Sequence, residues 1–328
     1  MRILVVGGAG YVGSHACKSL AHAGHEPVVF DNLSTGHAHA VKWGPLVRGD
    51  ILDPSQLEAA FVAHKPDAVM HFAALAYVGE SVQRPDLYYR TNVGGTLNLL
   101  DCMRKNSVGR LIFSSTCATY GQPDRMPITE ATPQSPINPY GWSKLMAERA
   151  ISDYCAAFGL GAVALRYFNA AGADPDGEIG EEHDPETHLI PLVLQAAAGM
   201  KESIRIFGSD YPTPDGSAIR DYVHVTDLAA AHVAAVGACV AGDLDVFNLG
   251  AEAGTSVLNI IERARRVTGR DIRAETAPRR PGDPPVLLAD ASKARTVLSW
   301  APQYSGLDTI LETAWAWTLT HRPEGVVS

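Results

Sequence analysis

Cysteine is scarce, with five residues among 328, at positions 17, 102, 117, 155 and 239. An odd, scattered set with no C-x-x-C pair excludes a disulfide framework and a zinc ribbon, and it fits a reducing compartment. Long apolar runs are missing too. The N-terminal stretch Ile3 to Val6 is too short for a signal h-region, and nothing further along reaches membrane-spanning length. The expectation is a cytoplasmic protein that engages no membrane. Basic residues are in deficit, 27 Lys and Arg against 36 Asp and Glu, giving a formal net charge of −9. That balance argues against a nucleic-acid or anionic-surface binder, which would carry a basic face, while leaving room for a local basic pocket. The pairs His37-Ala38-His39 and Glu182-His183 lack partners at ligand spacing, so no metal is expected.

The composition that remains, 46% hydrophobic and 19% charged, is that of a globular protein. The length suits two joined domains. Through the first half, short β-branched runs (Arg2 to Val6, Pro27 to Phe30, Pro45 to Arg48, Ala68 to His71, Arg110 to Phe113) alternate with helical patterns from Tyr11, Pro54 and Asn92. This is βαβ grammar and predicts an α/β fold, a doubly wound parallel sheet with helices on both faces. Pro139 suits a first helical position, and a helix is expected from there to about Phe158, then a strand from Gly161 to Leu165. After Asn169 the Gly/Pro/acid-rich stretch Ala173 to Asp184 breaks the alternation. The expected division is therefore 1–170 and 171–328, the second a smaller mixed α/β substrate domain from which some segments return to the first. Its helices are expected at Leu189 to Ala198, Val225 to Cys239, Val257 to Val267, Ala291 to Leu298 and Leu307 to Leu319, with short strands near Ile204 and Val246.

Chemistry starts at the first turn. Gly7-Gly8-Ala9-Gly10-Tyr11-Val12-Gly13 follows the first strand and opens the first helix. Missing Cβ atoms let the turn tighten and a pyrophosphate approach the backbone at a helix N-terminus, so Gly7, Gly10, Tyr11, Val12 and Gly13 form a Rossmann-type dinucleotide turn. Asp31 ends the second strand and is followed by Asn32, Leu33 and Ser34 with no arginine. A carboxylate there accepts from both ribose hydroxyls and repels a 2′-phosphate, which favours NAD over NADP. Asp50-Ile51 and Phe72-Ala73-Ala74 close later strands, where they either line the cofactor or pack the core.

A second constellation lies further along. Ser114-Ser115-Thr116 ends a strand, and Tyr140-Gly141-Trp142-Ser143-Lys144 begins a helix with Tyr140 and Lys144 on one face. A phenol with an ordinary pKa near 10 needs nearby positive charge to act as a base, which Lys144 and an oxidised nicotinamide would supply. Thr116 can relay or orient the substrate hydroxyl proton. Cys117 reads as a small packing residue.

These segments, with His71-Phe72-Ala73, Arg166-Tyr167-Phe168-Asn169, Arg220-Asp221-Tyr222-Val223-His224-Val225 and Arg279-Arg280-Pro281-Gly282-Asp283, resemble the extended short-chain dehydrogenase/reductase family from the first strand to the last helix. The resemblance implies a UDP-sugar 4-epimerase, with UDP-glucose and UDP-galactose the expected pair and a 4-keto sugar between them. Tyr140, Lys144 and Thr116 would be catalytic. Asn92, Ser114 and Tyr167 would join the NAD set. Thr116, Tyr140, Asn169, His188, Leu189, Ile206, Phe207, Arg220, Tyr222, Arg280, Asp283 and Leu287 would face the UDP-sugar, and a homodimer is expected. Three of these have alternatives in the residues themselves: Arg220 can pair with Asp221 or another acid, Phe207 can be core, and His188 can be a helix cap or a surface residue. Three positions depart from the family pattern. Ala76 replaces a lysine that reaches the cofactor diphosphate, His188 replaces an asparagine near the substrate diphosphate, and Leu287 occupies the position that controls access of N-acetylated sugars. The competing readings are a 4-epimerase of another UDP-sugar (UDP-GlcNAc/GalNAc, a pentose or a uronic acid), a 4,6-dehydratase, and a non-catalytic NAD sensor. The dehydratase needs an acid after the Ser-Ser-Thr segment, where Cys117-Ala118-Thr119 stand.

Overall fold

Alternation along the first strand sets the architecture. In β1 (Arg2–Val6), Ile3 and Val5 enter one core while Leu4 and Val6 enter another, all four fully buried. A strand covered on both faces behaves this way. The computed structural model of the chain describes residues 1–280 and 283–321.

From β1 the chain passes through α1 (Tyr11–His22), β2 (Glu26–Asp31), β3 (Leu46–Arg48), α2 (Pro54–His64), β4 (Ala68–His71), α3 (Val78–Gln83) and α4 (Pro85–Tyr88). A π-helical turn, Tyr89–Gly94, leads into α5 (Gly95–Lys105), then β5 (Arg110–Thr116), α6 (Pro139–Phe158), β6 (Gly161–Tyr167) and β7 (Asn169–Ala171). The remainder is α7 (Leu189–Ala197), β8 (Ile204–Phe207), β9 (Ile219–His224), α8 (Val225–Ala235), β10 (Leu244–Leu249) and β11 (Gly254–Ser256), followed by α9 (Val257–Thr268), β12 (Ala274–Ala277), β13 (Val286–Leu287), α10 (Ser292–Val297) and α11 (Leu307–Thr320). Among these helices none is long and apolar enough to cross a membrane.

Seven strands form one parallel sheet in the order β10-β6-β5-β4-β1-β2-β3. Strand order reverses between β1 and β4, and in open α/β sheets ligands lie beyond the strand C-termini at such a switch point. One face packs on residues of α1 and α8 and the other on residues of α2, α5 and α6. A third core gathers Val193 and Leu194 of α7, Ile260 and Ile261 of α9 and Ile310 and Leu311 of α11, with Ile206 and Tyr222. Above it lie two smaller sheets. In one, β9 pairs antiparallel with β11 and parallel with β13 and β7; in the other, β8 pairs parallel with β12.

Local chemistry explains the elements that matter most for the site. The Asn138 side chain accepts the Gly141 N–H at 2.8 Å, Pro139 supplies the first helical φ, and Gly159 leaves α6 in the left-handed region at φ 73°. A cap of this kind contributes about 1 kcal/mol. The helix predicted from Asn92 instead opens as the π-helical turn, with regular α-helix beginning at Gly95. The short strands β7 and β11 to β13 were not predicted, because each is too brief to show a period and exists only through its partner, and β9 was not because its six residues show no alternation, Asp221 to His224 all being buried.

Candidate active site

The glycine turn separates into two kinds of position. A Cβ on Gly7 would lie 2.4 Å from the Ala73 nitrogen, and one on Gly13 would lie 2.2 Å from the Gly7 oxygen. The protein's own main chain forbids both. At Gly10 the nearest atom to a Cβ would be 3.5 Å away, an ordinary contact, and its backbone is extended at φ −81°. Packing therefore does not require Gly10; its bare Cα leaves room for an approaching ligand. Gly10 also caps α1 with no side-chain hydrogen bond, so the opening N–H groups at Tyr11 and Val12 are not claimed by a capping side chain. An uncapped helix start beside a bare Cα fits the diphosphate of NAD.

Asp31 ends β2 beside this turn. Its Oδ2 accepts the Ala9 N–H at 2.9 Å and its Oδ1 the Leu33 N–H at 2.8 Å. Burial pushes this carboxyl up while the two N–H donors pull it down. A carboxylate has about four acceptor positions, so room remains for two ribose hydroxyls. Asn32 donates to Asp50 Oδ2 at 3.1 Å, tying the ends of β2 and β3 together. Ile51 is buried in the second core against Gly95. After β4, the Phe72 and Ala73 N–H groups both donate to the Val6 carbonyl, at 2.7 and 2.9 Å, and Phe72 packs on the first core, its ring 4.7 Å from His232. Ala74 is partly exposed and Ala76 exposed. Tyr11 donates to the Gly172 carbonyl at 2.6 Å, joining the turn to the segment after β7.

Tyr140, Lys144 and Thr116 converge at the end of β5. The Tyr140 hydroxyl hydrogen-bonds the Thr116 side chain, and burial pushes the phenol well above its ordinary value, with Tyr167 adding to the shift. Lys144 is 3% exposed, its ammonium 4.4 Å from the Phe113 ring centroid, and burial pushes it down to about 7 despite the opposing charge of Glu148. Its positive charge is thus marginal near neutrality. His71 lies in the same dry region: burial, then the Lys144 charge, lowers it to about 3. Ser114 and Tyr167 share a 2.8 Å hydrogen bond between neighbouring strand ends. Cys117 carries a thiol pushed up to about 12 by burial, in keeping with a packing residue.

Asn92 is 3% exposed, and its amide is fully used by the protein. Oδ1 accepts the Leu75 N–H at 2.8 Å; Nδ2 donates to the Leu75 carbonyl at 3.0 Å and to Ser143 Oγ at 2.9 Å, and Ser143 donates to the Tyr140 carbonyl. One side chain in the π-helical turn thereby fixes the loop after β4 to the first turn of α6.

Beneath the site is a network the motif reading missed. Glu148 receives both Arg166 Nε at 2.9 Å and Nη2 at 2.5 Å, and Ser115 Oγ at 2.5 Å, all buried. Its signal was in the sequence: residues 140, 144 and 148 step by four along one helix face.

The second half brings another group together. Arg220 on β9 pairs with Asp283, not Asp221, whose carboxylate instead accepts N–H groups from Ala251, Glu252 and Ala289. Leu287 is the register partner of Arg220. The Arg280 guanidinium lies 4.0 Å over the Phe207 ring, which is partly exposed and outside the third core. Asn169 pairs with Tyr222 across β7 and β9, while Ile206 and Tyr222 are themselves buried in that core and Leu189 packs against it. His188 turns Nδ1 to Glu186 Oε1 at 2.9 Å. The two halves meet at Cys117, which neighbours Tyr140 and feels the Arg220 charge. Pro281 and Gly282 of the Arg279 to Asp283 motif lie outside the described residues.

With this geometry in place, likeness to known proteins becomes specific. Residues 3–250 match the family described as the NAD dependent epimerase/dehydratase family. The chain is 52% identical over 316 residues to a UDP-glucose 4-epimerase of Rhizobium meliloti (strain 1021), covering 96% of each chain. The structure of UDP-glucose 4-epimerase from Brucella ovis in complex with NAD matches with a TM-score of 0.93 at 55% identity, covering 96% of this chain and 97% of that one. The Bifidobacterium longum UDP-glucose 4-epimerase, in complex with NAD+ and UDP, matches with a TM-score of 0.93 at 37% identity over 98% of this chain and 99% of that one.

Proposed function

Because the chain belongs to the NAD dependent epimerase/dehydratase family, we propose that it interconverts UDP-glucose and UDP-galactose by transient oxidation at the sugar C4. The observation that carries this reading is the meeting of Tyr140, Thr116 and Lys144 at the end of β5, in the sheet whose switch point holds the uncapped Gly10 turn. When bound, NAD supplies a hydride acceptor and returning donor at C4, together with a positive charge that favours the phenolate.

The chain's own residues do the rest. Tyr140 removes and returns the proton on O4, and Thr116, already bonded to the phenol, holds the substrate hydroxyl in line. Lys144, neutral or charged at little cost, adjusts its protonation as the phenol changes charge. Ser114 and Tyr167 border the cofactor, Asp31 and Asn32 its ribose end, and Asp50 and Ile51 the adenine end. Asn92 positions Tyr140 through Ser143.

On the substrate side, Arg220, Arg280 and Asp283 hold the uridine diphosphate with Asn169, His188 and Leu189, while Phe207 under Arg280 walls the base. Ile206 and Tyr222 support that rim from the core. Binding energy from the nucleotide keeps a keto sugar in place while it turns. Leu287 beside Arg220 sets the room for the sugar's C2 substituent. A division at residue 170 into an NAD half and a UDP-sugar half, with segments such as α8 and β10 returning to the first, is part of the proposal.

The decisive experiment incubates the protein with a panel of UDP-sugars and separates C4 epimers by chromatography. UDP-glucose and UDP-galactose should interconvert; turnover of a pentose or uronic acid alone, loss of water, or no reaction would each overturn the reading. The protein is further proposed to work in the cytoplasm as a homodimer, for which Trp142 and Met146 on α6 and Leu97 on α5 offer exposed apolar side chains at 41%, 44% and 38%. Sedimentation at the mass of a single chain would refute the dimer.

A further inference from the structure

Between β7 and α7 the chain gathers two histidines and two glutamates whose ligand atoms all lie within 4.8 Å of one another: Glu181, His183, Glu186 and His188. We propose that this loop binds a divalent cation of the zinc class through the Nδ1 atoms of His183 and His188 and one oxygen each of Glu181 and Glu186. The sequence reading set Glu182-His183 aside for want of partners at ligand spacing. The fold supplies them, because Glu181 and Glu186, not Glu182, face His183.

Three observations carry the assignment. The first is the donor geometry. His183 Nδ1 is 3.1 Å from Glu181 and 3.5 Å from Glu186, and His188 Nδ1 is 3.0 Å from Glu181 and 2.9 Å from Glu186. Four ligands around a tetrahedral zinc, at bonds of about 2.0–2.1 Å, stand roughly 3.3 Å apart, in the middle of that range.

The second is the unpartnered nitrogen of His183. Its Nδ1 is buried and makes no hydrogen bond, although a carboxylate oxygen is within reach. With carboxylate oxygens at 3.1 and 3.5 Å and neither hydrogen-bonded to it, this nitrogen is open to an ion shared with them.

The third is burial of charge. The Glu181 and Glu186 side chains are 7% and 6% exposed. Two carboxylates that close and that dry require compensating positive charge, either from imidazoliums at His183 and His188 or from one cation shared by all four residues. Among the described residues, no lysine or arginine is paired with either of them.

The two neighbouring acid-bearing clusters differ on these points. Asp174, Asp176 and Glu178 already surround the Lys18 ammonium at 2.7–2.8 Å. His37, His39 and Glu182 are more open, with the two rings stacked at 5.2 Å and both imidazoles about half exposed. The proposed ion would pin a loop that touches both halves of the site: the His183 ring stands edge-on to Tyr11 of the glycine turn at 6.2 Å, and His188 immediately precedes Leu189 of α7. Ligation through Nδ1 leaves the other His188 nitrogen protonated and outside the ion's coordination.

The test uses the full chain with its cofactor. Purified without chelators or a polyhistidine tag, it should carry about one zinc-class ion per chain by elemental analysis. The ion should leave on dialysis against chelator and return in a saturable one-to-one titration with Zn2+ alone. His183→Ala and Glu186→Gln should each abolish that titration, while His39→Ala in the open cluster should leave it intact. Cobalt(II) substituted for zinc should show the visible absorption of a four-coordinate site in the wild type and lose it in His183→Ala. If His183→Ala fails to fold, Glu186→Gln and the cobalt spectrum decide. A stripped wild-type chain that takes up no stoichiometric Zn2+, or a titration lost with His39→Ala and kept with His183→Ala, would overturn the proposal and leave the cluster as two imidazoliums paired with two carboxylates.

Discussion

The end of β5 and the rim around β9 handle charge in opposite ways. At the first, burial drives the three groups nearest the chemistry toward their neutral forms: Tyr140 keeps its proton, and Lys144 and His71 tend to lose theirs. At the second, charges stand paired and ready: Arg220 with Asp283, and Arg280 over Phe207. Each arrangement suits its task. A proton moves readily between groups whose charged and neutral forms lie close in energy, whereas a diphosphate is held by cations whose charge is fixed. The contrast also changes the account of the base. Burial weakens the positive charge of Lys144 near neutrality, so the cofactor's positive charge adds to it in favouring the phenolate.

The sharpest way to break this contrast is at the phenol. Tyr140→Phe should keep NAD and the fold while turnover falls by roughly 10²–10⁴-fold, read as the rate of epimer formation with bound NAD quantified after denaturation. Unchanged turnover would remove Tyr140 from the chemistry and leave the neutral pocket unexplained. A pair of glycine variants separates ligand space from packing space. Stripped of cofactor, Gly10→Ala should fold with an unchanged thermal midpoint, yet it should hold NAD at least about tenfold more weakly, a loss of roughly 1.4 kcal/mol. Gly13→Ala drives a Cβ into the Gly7 carbonyl and should lower the midpoint itself. If Gly10→Ala retained NAD like the wild type, the diphosphate would not lie against that Cα.

The same two regions differ in how much of them can be read in the sequence. The glycine turn, Asp31 and the Tyr140 to Lys144 step are contiguous patterns, and the parallel sheet follows from their alternation with helices; α6 runs over Pro139–Phe158, as Pro139 and the pattern after it indicate. Around β9 nothing local announces the structure. Arg220 meets Leu287 and Asn169 meets Tyr222 only through strand registers that join residues about 50 to 70 positions apart. Which acid would take Arg220 was accordingly open, and Asp221, the adjacent candidate, turned out to bind three backbone N–H groups instead. Asn92 was legible only by family likeness, because its partners Leu75 and Ser143 sit 17 residues before it and 51 after it.

The smallest predicted effect tests the neutral character of the first region directly. With a folded value of about 7 for Lys144 against an ordinary 10.5, the unfolded chain binds more protons than the folded one between those pH values, so this group's penalty on stability eases as pH rises through that window. Below pH 7 the penalty is present in full. Lys144→Met removes the ammonium while keeping most of the side chain's length over Phe113. In protein stripped of cofactor, the stability gained by Lys144→Met over wild type should therefore be larger at pH 6 than at pH 8 by about 1.4 kcal/mol. Denaturant unfolding of both proteins at the two pH values measures it. A gain independent of pH would mean that Lys144 keeps its charge when buried, and the cation needed to activate Tyr140 would then already be built into α6.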